Sequence, residues 1–315
     1  MFVSVIIPNY NNSNYLKSCI ESVIGQKYIK EIIIVDDHST DTSWEIITDY
    51  QKQYSDLIKI FTNPNKGVQS ARNYGLTQAS GKYIQWLDSD DILHHKKFKT
   101  QVEILESSKS KTIVFCDWQH FSNEKDIPLF DKSNRWKSYT NPLEWLMYSW
   151  ETGLMLQTAC WLTPKEICDQ ITWDEKIVKN QDGVYFFDAL QYCFELKYVN
   201  DTIVHYRLPN STNISRKKNY KAIRSLLDSY IHYEEIFDKD CSLRVKKSLA
   251  CNYANFIKYI YPEYNDLQNK AFNRIESLGI KKAPLIGGDK FKKIQKLFGL
   301  KNAIKLIHFK EKHFT

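Results

Sequence analysis

"GKYIQWLDSDD", residues 81–91, is a run of apolar and aromatic residues that ends in three carboxylates within four positions, Asp88, Asp90 and Asp91. The run predicts a strand, and the acids sit at its carboxyl end. Ionised carboxylates this close repel, and each loses hydration if the turn is partly buried. Either a cation offsets the repulsion, or the stretch is a solvated turn that caps the next helix.

Working outward, the first hundred residues alternate strands with helices. "VSVIIPNY" (3–10), "EIIIVDD" (31–37) and "IKIFTN" (58–63) are short apolar runs of the kind that fill a parallel sheet covered on both faces. Between them lie helical patterns at 11–26, with Ser13 as its N-cap, at 39–54, capped by Ser39 or Thr40, and at 67–80. A further helix covers about 96–107, and "TIVFCDWQHF" (112–121) is a fifth strand. This order predicts an α/β layered domain with a mostly parallel sheet. Ligands of such folds bind beyond the carboxyl ends of the strands. Asn9, Tyr10 and Asn11, then Asp36 and Asp37, then the 88–91 acids all fall there. After residue 122 the pattern loosens. Helices are expected at 142–150, 164–170 and 180–196, strands at 157–163 and 203–207, and helix throughout 218–275. The 180–196 helix carries Val184, Phe187, Leu190 and Phe194 as its apolar stripe.

Composition narrows the class. Hydrophobic residues make up 43% of 315, enough for a sizeable core. Seven cysteines without a C-x-x-C pair read as reduced, buried thiols of a cytoplasmic protein rather than a zinc site. The chain opens on a strand, with no basic and apolar leader, and no apolar run approaches the roughly 20 residues of a membrane span. The net charge of +7 is matched by the tail alone: residues 281–315 hold ten Lys against Asp289 and Glu311. A near-neutral body argues against nucleic-acid binding.

The acids then take on chemical meaning. Asp88-x-Asp90 can offer oxygen ligands to a hard divalent ion, leaving positions open for phosphate oxygens. An EF-hand is excluded, because its sixth loop position would be Leu93 rather than Gly and its twelfth Lys99 rather than Glu. Asp36 and Asp37 can accept from a base or ribose, or cap the next helix. The first strand-to-helix turn, "PNYNNSN" (8–14), has no Gly, so a dinucleotide fingerprint is absent.

Five ordered segments, "VSVIIPNYNNSNYLKSCIESVIGQ" (3–26), "EIIIVDDHSTD" (31–41), "NKGVQSARNYGL" (65–76), "GKYIQWLDSDD" (81–91) and "NQDGVYFF" (180–187), resemble those of family-2 glycosyltransferases of the GT-A fold. The resemblance spans roughly residues 3–215. It implies a Rossmann-like, mostly parallel sheet flanked by helices, with a nucleotide-sugar half at about 1–120 and an acceptor half at about 121–215. A helical extension (216–280) and a basic amphipathic tail (281–315) would follow. It implies inverting transfer of a hexosyl or N-acetylhexosaminyl group from a nucleotide sugar, with Mn²⁺ or Mg²⁺. Pro8, Tyr10, Asn11, Asp37, Lys66, Gly67, Arg72, Asp88 and Ser89 would bind the nucleotide sugar, Asp37 through the base and suggesting uracil. Asp90 would hold the metal with Asp88, Asp91 and His205 being further candidate ligands, and Asp182 would be the catalytic base. The acceptor would be a glycan or a lipid-linked oligosaccharide of the cell envelope.

Two departures stand out. Gln181 precedes the base where the family often has Glu, and Leu208 and Pro209 occupy the region after Tyr206-Arg207 where a metal-binding His is common. Trp145, Trp150, Trp161 and Trp173 fall in the acceptor half, where they can stack on sugar rings or simply fill a core. In the tail, 287–310 sets Phe291, Ile294, Leu297 and Phe298 on one face and Leu300, Ile304 and Ile307 on another, divided at Gly299. That pattern suits either an anionic membrane surface, which would make the protein peripheral at the inner face of the cell membrane, or packing on 218–275. Two rivals remain. A nucleotidyltransferase would need a Gly-rich, basic first loop. A non-catalytic relative would not need Asp88, Asp90 and Asp182 together.

Overall fold

Every residue of β1 (Val3–Asn9) is buried, and β2 (Ile29–Asp36) is buried apart from Lys30. Strands with apolar side chains on both faces need helices on both sides, and the chain supplies them in alternation. The computed structural model describes residues 2–128, 135–208, 218–237, 241–284 and 289–314, with backbone alone at 289–292 and 311–314. α1 (Ser13–Val23), α2 (Ser43–Gln53), β3 (Ile58–Thr62), α3 (Val68–Gln78) and β4 (Tyr83–Trp86) complete the first half. Then come β5 (Ile92–Leu93), α4 (Lys97–Glu106), β6 (Thr112–Phe121), α5 (Pro142–Thr152), β7 (Trp161–Pro164), α6 (Lys165–Cys168), α7 (Gln181–Gln191) and β8 (Glu195–Arg207).

The sheet order is β3-β2-β1-β4-β7-β6-β8-β5. The first four strands are mutually parallel, and β6 pairs parallel with β8. β1 connects to β2 on one side and lies against β4 on the other, so strand order reverses between β1 and β4. That reversal opens a crevice at their carboxyl ends. Register deepens it. Ile6 pairs with Trp86, so β4 leaves the sheet while β1 continues to Asn9. The acids of 88–91 therefore flank the last turn of β1. α3 lies close on this edge because Gly75 has no side chain, and a Cβ there would stand 2.5 Å from Ile6 Cγ2.

Several elements differ from their sequence-based expectation. The fourth strand ends at Trp86, so Asp88 to Asp91 lie in a loop beyond it. α7 ends at Gln191, and β8 begins at Glu195 rather than near residue 203. β8 pairs with β6 as Cys116↔Val199 and then Asp117↔Ile203, so Asn200–Thr202 are looped out of register. Their polar character reads as a turn, but the strand absorbs them as a bulge. Phe194 lies outside the helix and is exposed, while Tyr185 and Phe186 join the buried side of α7. All seven cysteines are free, six of them buried.

The chain divides into two compact units: residues 1–142, 156–175 and 181–212, and residues 143–155, 176–180 and 213–315. Part of the stretch assigned to an acceptor half therefore belongs to the second unit, as does the basic tail. The second unit is helical. α8 (Tyr220–Ile236), α9 (Leu243–Ile260) and α10 (Asn265–Ser277) bury Leu227, Ala250, Tyr253, Ala254 and Ile257 in one core. Asn219 caps α8 by accepting from the Ala222 N–H, and Ser242 accepts from the Val245 N–H at α9. The stretch read as helix throughout is thus broken twice. α11 (Asp289–Phe314) is interrupted at Gly299, with φ 75° and ψ 170°. Its Ala303 and Ile304 are buried in the core of this unit, with Ile294, Leu300 and Ile307 against it. The side chain of Phe291 and residue Pro209 lie outside the described residues. No helix among the described residues is long and apolar enough to cross a membrane.

Candidate active site

The three acids that end "LDSDD" have three different surroundings. Asp88 accepts from Arg72 Nη2 at 2.5 Å. Arg72 projects from α3, is almost wholly buried, and lies 4.1 Å over the ring of Trp173. Trp173 in turn stacks on Tyr185 at 4.1 Å, and Trp86 meets both edge-on. This aromatic floor fixes the guanidinium plane. Among the described residues, Arg72 Nε and Nη1 are buried without a partner. Such donors are costly to leave unpaired, and they suit an oxygen-rich ligand.

Asp90 is half-buried. Burial and the charge of Asp88 push its carboxyl up to about 6. No side chain among the described residues donates to that carboxylate, but its carbonyl accepts from Arg207 Nε at 2.9 Å. Asp91 is buried, and burial and the neighbouring acids push it well above the usual range. It accepts from the backbone N–H of Arg207 at 3.0 Å and does not cap α4, which corrects that expectation. The reason is distance along the sheet: β5 carries the chain away to pair with β8 before α4 begins.

Arg207, which sequence reasoning used only as a landmark, is the clasp of this loop. Besides Asp90, it reaches Glu124 through Nη2 at 2.8 Å and lies over the rings of Tyr15 and Phe121 at 4.2 and 4.4 Å. A charged residue closing an apolar strand was the available signal. Tyr206 is the other residue missed. Its ring meets Trp118 and His120, and burial, followed by the charges of Asp91, Asp88, Asp90 and Asp182, pushes its hydroxyl up.

His205 faces elsewhere. It pairs with Ile92, its Nδ1 lies 3.2 Å from Gln119 Nε2, and burial and then His94 lower it to about 4. No group of three or more His, Cys, Asp and Glu among the described residues is placed to hold one ion.

The nucleotide-side residues are more engaged than expected. Asp36 is not freed by Ser39; it accepts from Asn9 Nδ2, Ser39 N–H and Ser39 Oγ. Asp37 accepts from Asn63 Nδ2 at 2.7 Å and from the Gly67 N–H at 2.9 Å, which ties β2 to the start of α3. Gly67 holds φ 109°, a conformation that favours glycine. Asn11 Oδ1 accepts from the backbone of Thr40 and Asp41, and Ser89 Oγ accepts from Asn12 Nδ2. The cap expectations at Ser13, Ser39 and Thr40 fail for one reason. These polar side chains, and Asn12 before α1, are used across segments rather than within their own helix. Pro8 is buried in β1, while Tyr10 and Lys66 are exposed beside it and beside Gly67.

Asp182 stands in the first turn of α7. Burial pushes its carboxyl up, while the Gly183 N–H on Oδ1 at 2.9 Å and the charge of Arg72 pull it down. Its titration also feels Asp88. The structure thus brings Arg72, Asp88 and Asp182 into one electrostatic group. The four tryptophans are not a sugar platform: Trp145, Trp150, Trp161 and Trp173 are all buried. Trp161 stacks on Phe186, and Trp150 on Tyr233.

A switch-point crevice lined by aspartates on such a sheet is the architecture of a GT-A glycosyltransferase, and residues 4–172 match Glycosyl transferase family 2. The chain belongs to that family. It is 30% identical over 224 residues to an uncharacterized glycosyltransferase of Methanocaldococcus jannaschii, covering 70% of this chain and 75% of that protein. It spans less than two thirds of other curated relatives, 41% for one from Rickettsia typhi and 62% for one from Bacillus subtilis. Among solved structures, TarS of S. aureus in complex with UDP-GlcNAc superposes with a TM-score of 0.70 at 17% identity, over 96% of this chain and 90% of that one. The mannosyltransferase PcManGT of Pyrobaculum calidifontis, in complex with GDP-Man and Mn²⁺, does so with 0.58 at 13%, over 88% and 74%.

Proposed function

We propose that this glycosyltransferase is inverting. In this reading it moves a hexosyl or N-acetylhexosaminyl group from a nucleotide-diphosphate sugar, a UDP-sugar foremost, to a hydroxyl of a glycan or lipid-linked acceptor. Cell-envelope polysaccharide synthesis at the cytoplasmic side of the membrane is the setting. The observation that carries this reading is the grouping of Arg72, Asp88 and Asp182 beside the half-buried Asp90 at the β1/β4 crevice. The ligands of TarS and PcManGT, UDP-GlcNAc and GDP-Man with Mn²⁺, support the donor class.

The chemistry of two neighbouring carboxylates, with no side-chain donor on Asp90, suits a hard divalent ion that keeps waters and takes phosphate oxygens. Asp90, with Asp88 beside it, would hold Mn²⁺ or Mg²⁺, which when bound supplies charge neutralisation for a departing diphosphate. Tyr10 and Lys66 flank the base and phosphate region, with Pro8, Asn11, Asp37, Gly67 and Ser89 shaping it. The unpaired N–H groups of Arg72 serve the donor's oxygens. Asp182 is the base. Gly183 holds Oδ1, leaving Oδ2 to take the proton of the acceptor hydroxyl. The acceptor oxygen attacks the anomeric carbon opposite the diphosphate, and the bond to the diphosphate breaks with its electron pair. A single displacement inverts the configuration and needs no nucleophilic side chain.

Asp182→Asn is the test. Sugar transfer should fall by about 100-fold or more while nucleotide affinity stays unchanged. Normal transfer by this variant would overturn the base assignment. No thermal stabilisation by any nucleotide diphosphate, with or without Mn²⁺, would overturn the whole reading.

A further inference from the structure

Helix α11 buries one apolar side and leaves other large apolar side chains exposed. Ala303 and Ile304 are buried, and Leu300 and Ile307 pack against the core of the second unit. On the opposite side, Leu306 and Phe309 are three residues apart and 47% and 59% exposed. Before the break at Gly299, Leu297 and Phe298 are 77% and 56% exposed. A soluble surface helix ordinarily shows charged or polar groups on its outer side. Four large apolar side chains held outward across two helical segments mark an interaction surface.

The charge of this surface selects its occupant. Lys293, Lys296, Lys301, Lys305 and Lys310 are all exposed, and residues 290–310 contain no Asp or Glu. A second copy of the chain would set these lysines against one another. A nucleic acid would leave the leucines and phenylalanines without a partner. A bilayer with anionic headgroups meets both needs: acyl chains receive the apolar side chains, and lipid phosphates or carboxylates face the lysines. We infer that the outer side of α11 docks the protein, in the plane of the surface, on an anionic membrane. The break at Gly299 lets each segment lay down its own pair of apolar residues. The inner side stays in the core of the second unit through Ala303 and Ile304, so docking needs no unfolding of that unit.

The experiment is co-sedimentation of the full chain with vesicles of phosphatidylcholine alone or with about 30% phosphatidylglycerol. Binding should require the anionic lipid and weaken steeply between low and high salt. Replacing Leu297, Phe298, Leu306 and Phe309 together by Ser should reduce it more than about tenfold, with unchanged thermal stability. Lys301→Gln with Lys305→Gln should reduce it in the same direction. No binding to anionic vesicles, or equal binding by the quadruple variant, overturns the inference. So does concentration-dependent self-association in analytical ultracentrifugation that the quadruple variant abolishes, because that assigns the face to a second copy. Nucleotide binding is read separately, so failure here leaves the catalytic reading standing.

Discussion

Arg207→Met would separate holding the acidic loop from merely filling space, because methionine keeps most of the volume and none of the charge. The loss can be summed from contacts. A charged donor on the Asp90 carbonyl is worth about 2 kcal/mol. The two ring contacts, at 4.2 and 4.4 Å, contribute roughly 0.5–1 kcal/mol each. Glu124 is 40% exposed, so its bridge adds less than about 1 kcal/mol. The variant should be destabilised by about 3–5 kcal/mol in urea titrations. The bond from the residue 207 backbone N–H to Asp91 survives the change, so the strand itself stays paired. Affinity for Mn²⁺ with a nucleoside diphosphate, measured calorimetrically below the unfolding range, should fall by roughly tenfold as Asp90 loses its fixed position. A stability loss under about 1 kcal/mol would refute the contact reasoning. A full stability loss with unchanged affinity would refute the role of Arg207 in setting the loop.

Acid stability should carry the signature of Glu31. Burial opposes its ionisation, but Lys59, Ser4 and Ser80 outweigh it and hold the carboxyl at about 2 against 4.5 unfolded. That contribution is present above pH 4.5 and lost as pH falls toward 2. With Lys59 half exposed, about 2 kcal/mol is the expected cost of Glu31→Gln at neutral pH. The difference between wild type and variant should shrink through that window; a constant difference would contradict the assignment. In the pH–rate profile at saturating Mn²⁺, activity should fall on the acid side with an inflection above the ordinary aspartate value, since Asp182 must be ionised to act and burial raises its pKa. An inflection at or below 3.8 would contradict the raised pKa of the base.

The strands of the first half were legible because burial on both faces leaves unbroken apolar runs, as in "VSVIIP" and "EIIIV". β8 was legible only at its end, because a strand that loops out Asn200–Thr202 imitates a turn. Asp88 and Asp90 stood out through chemistry and spacing, Asp182 and Arg72 only through the resemblance to family-2 glycosyltransferases. Their surroundings did not. That His205 meets Gln119 while Arg207 reaches the Asp90 carbonyl depends on β8's register against β5 and β6, which no local pattern encodes. Asp91 looked like a cap because caps are local, whereas its partner lies 116 residues on. The tryptophans show the limit of composition: the same residue type serves a sugar platform or a core, and only burial decides.

That separation of 116 residues also orders events on the ribosome. When the chain has been made as far as Asp91, all three acids of the loop exist, but the cation that clasps them does not. Every strand of the β3-β2-β1-β4 set can pair by then, since β4 ends at Trp86. The loop must wait until β8 emerges and inserts beside β6, bringing Arg207 with it. Synthesis at roughly 5–20 residues per second makes that a wait of about 6–23 seconds. A nascent chain halted near residue 200 would thus carry most of the family's signature segments around an acidic loop still lacking its clasp.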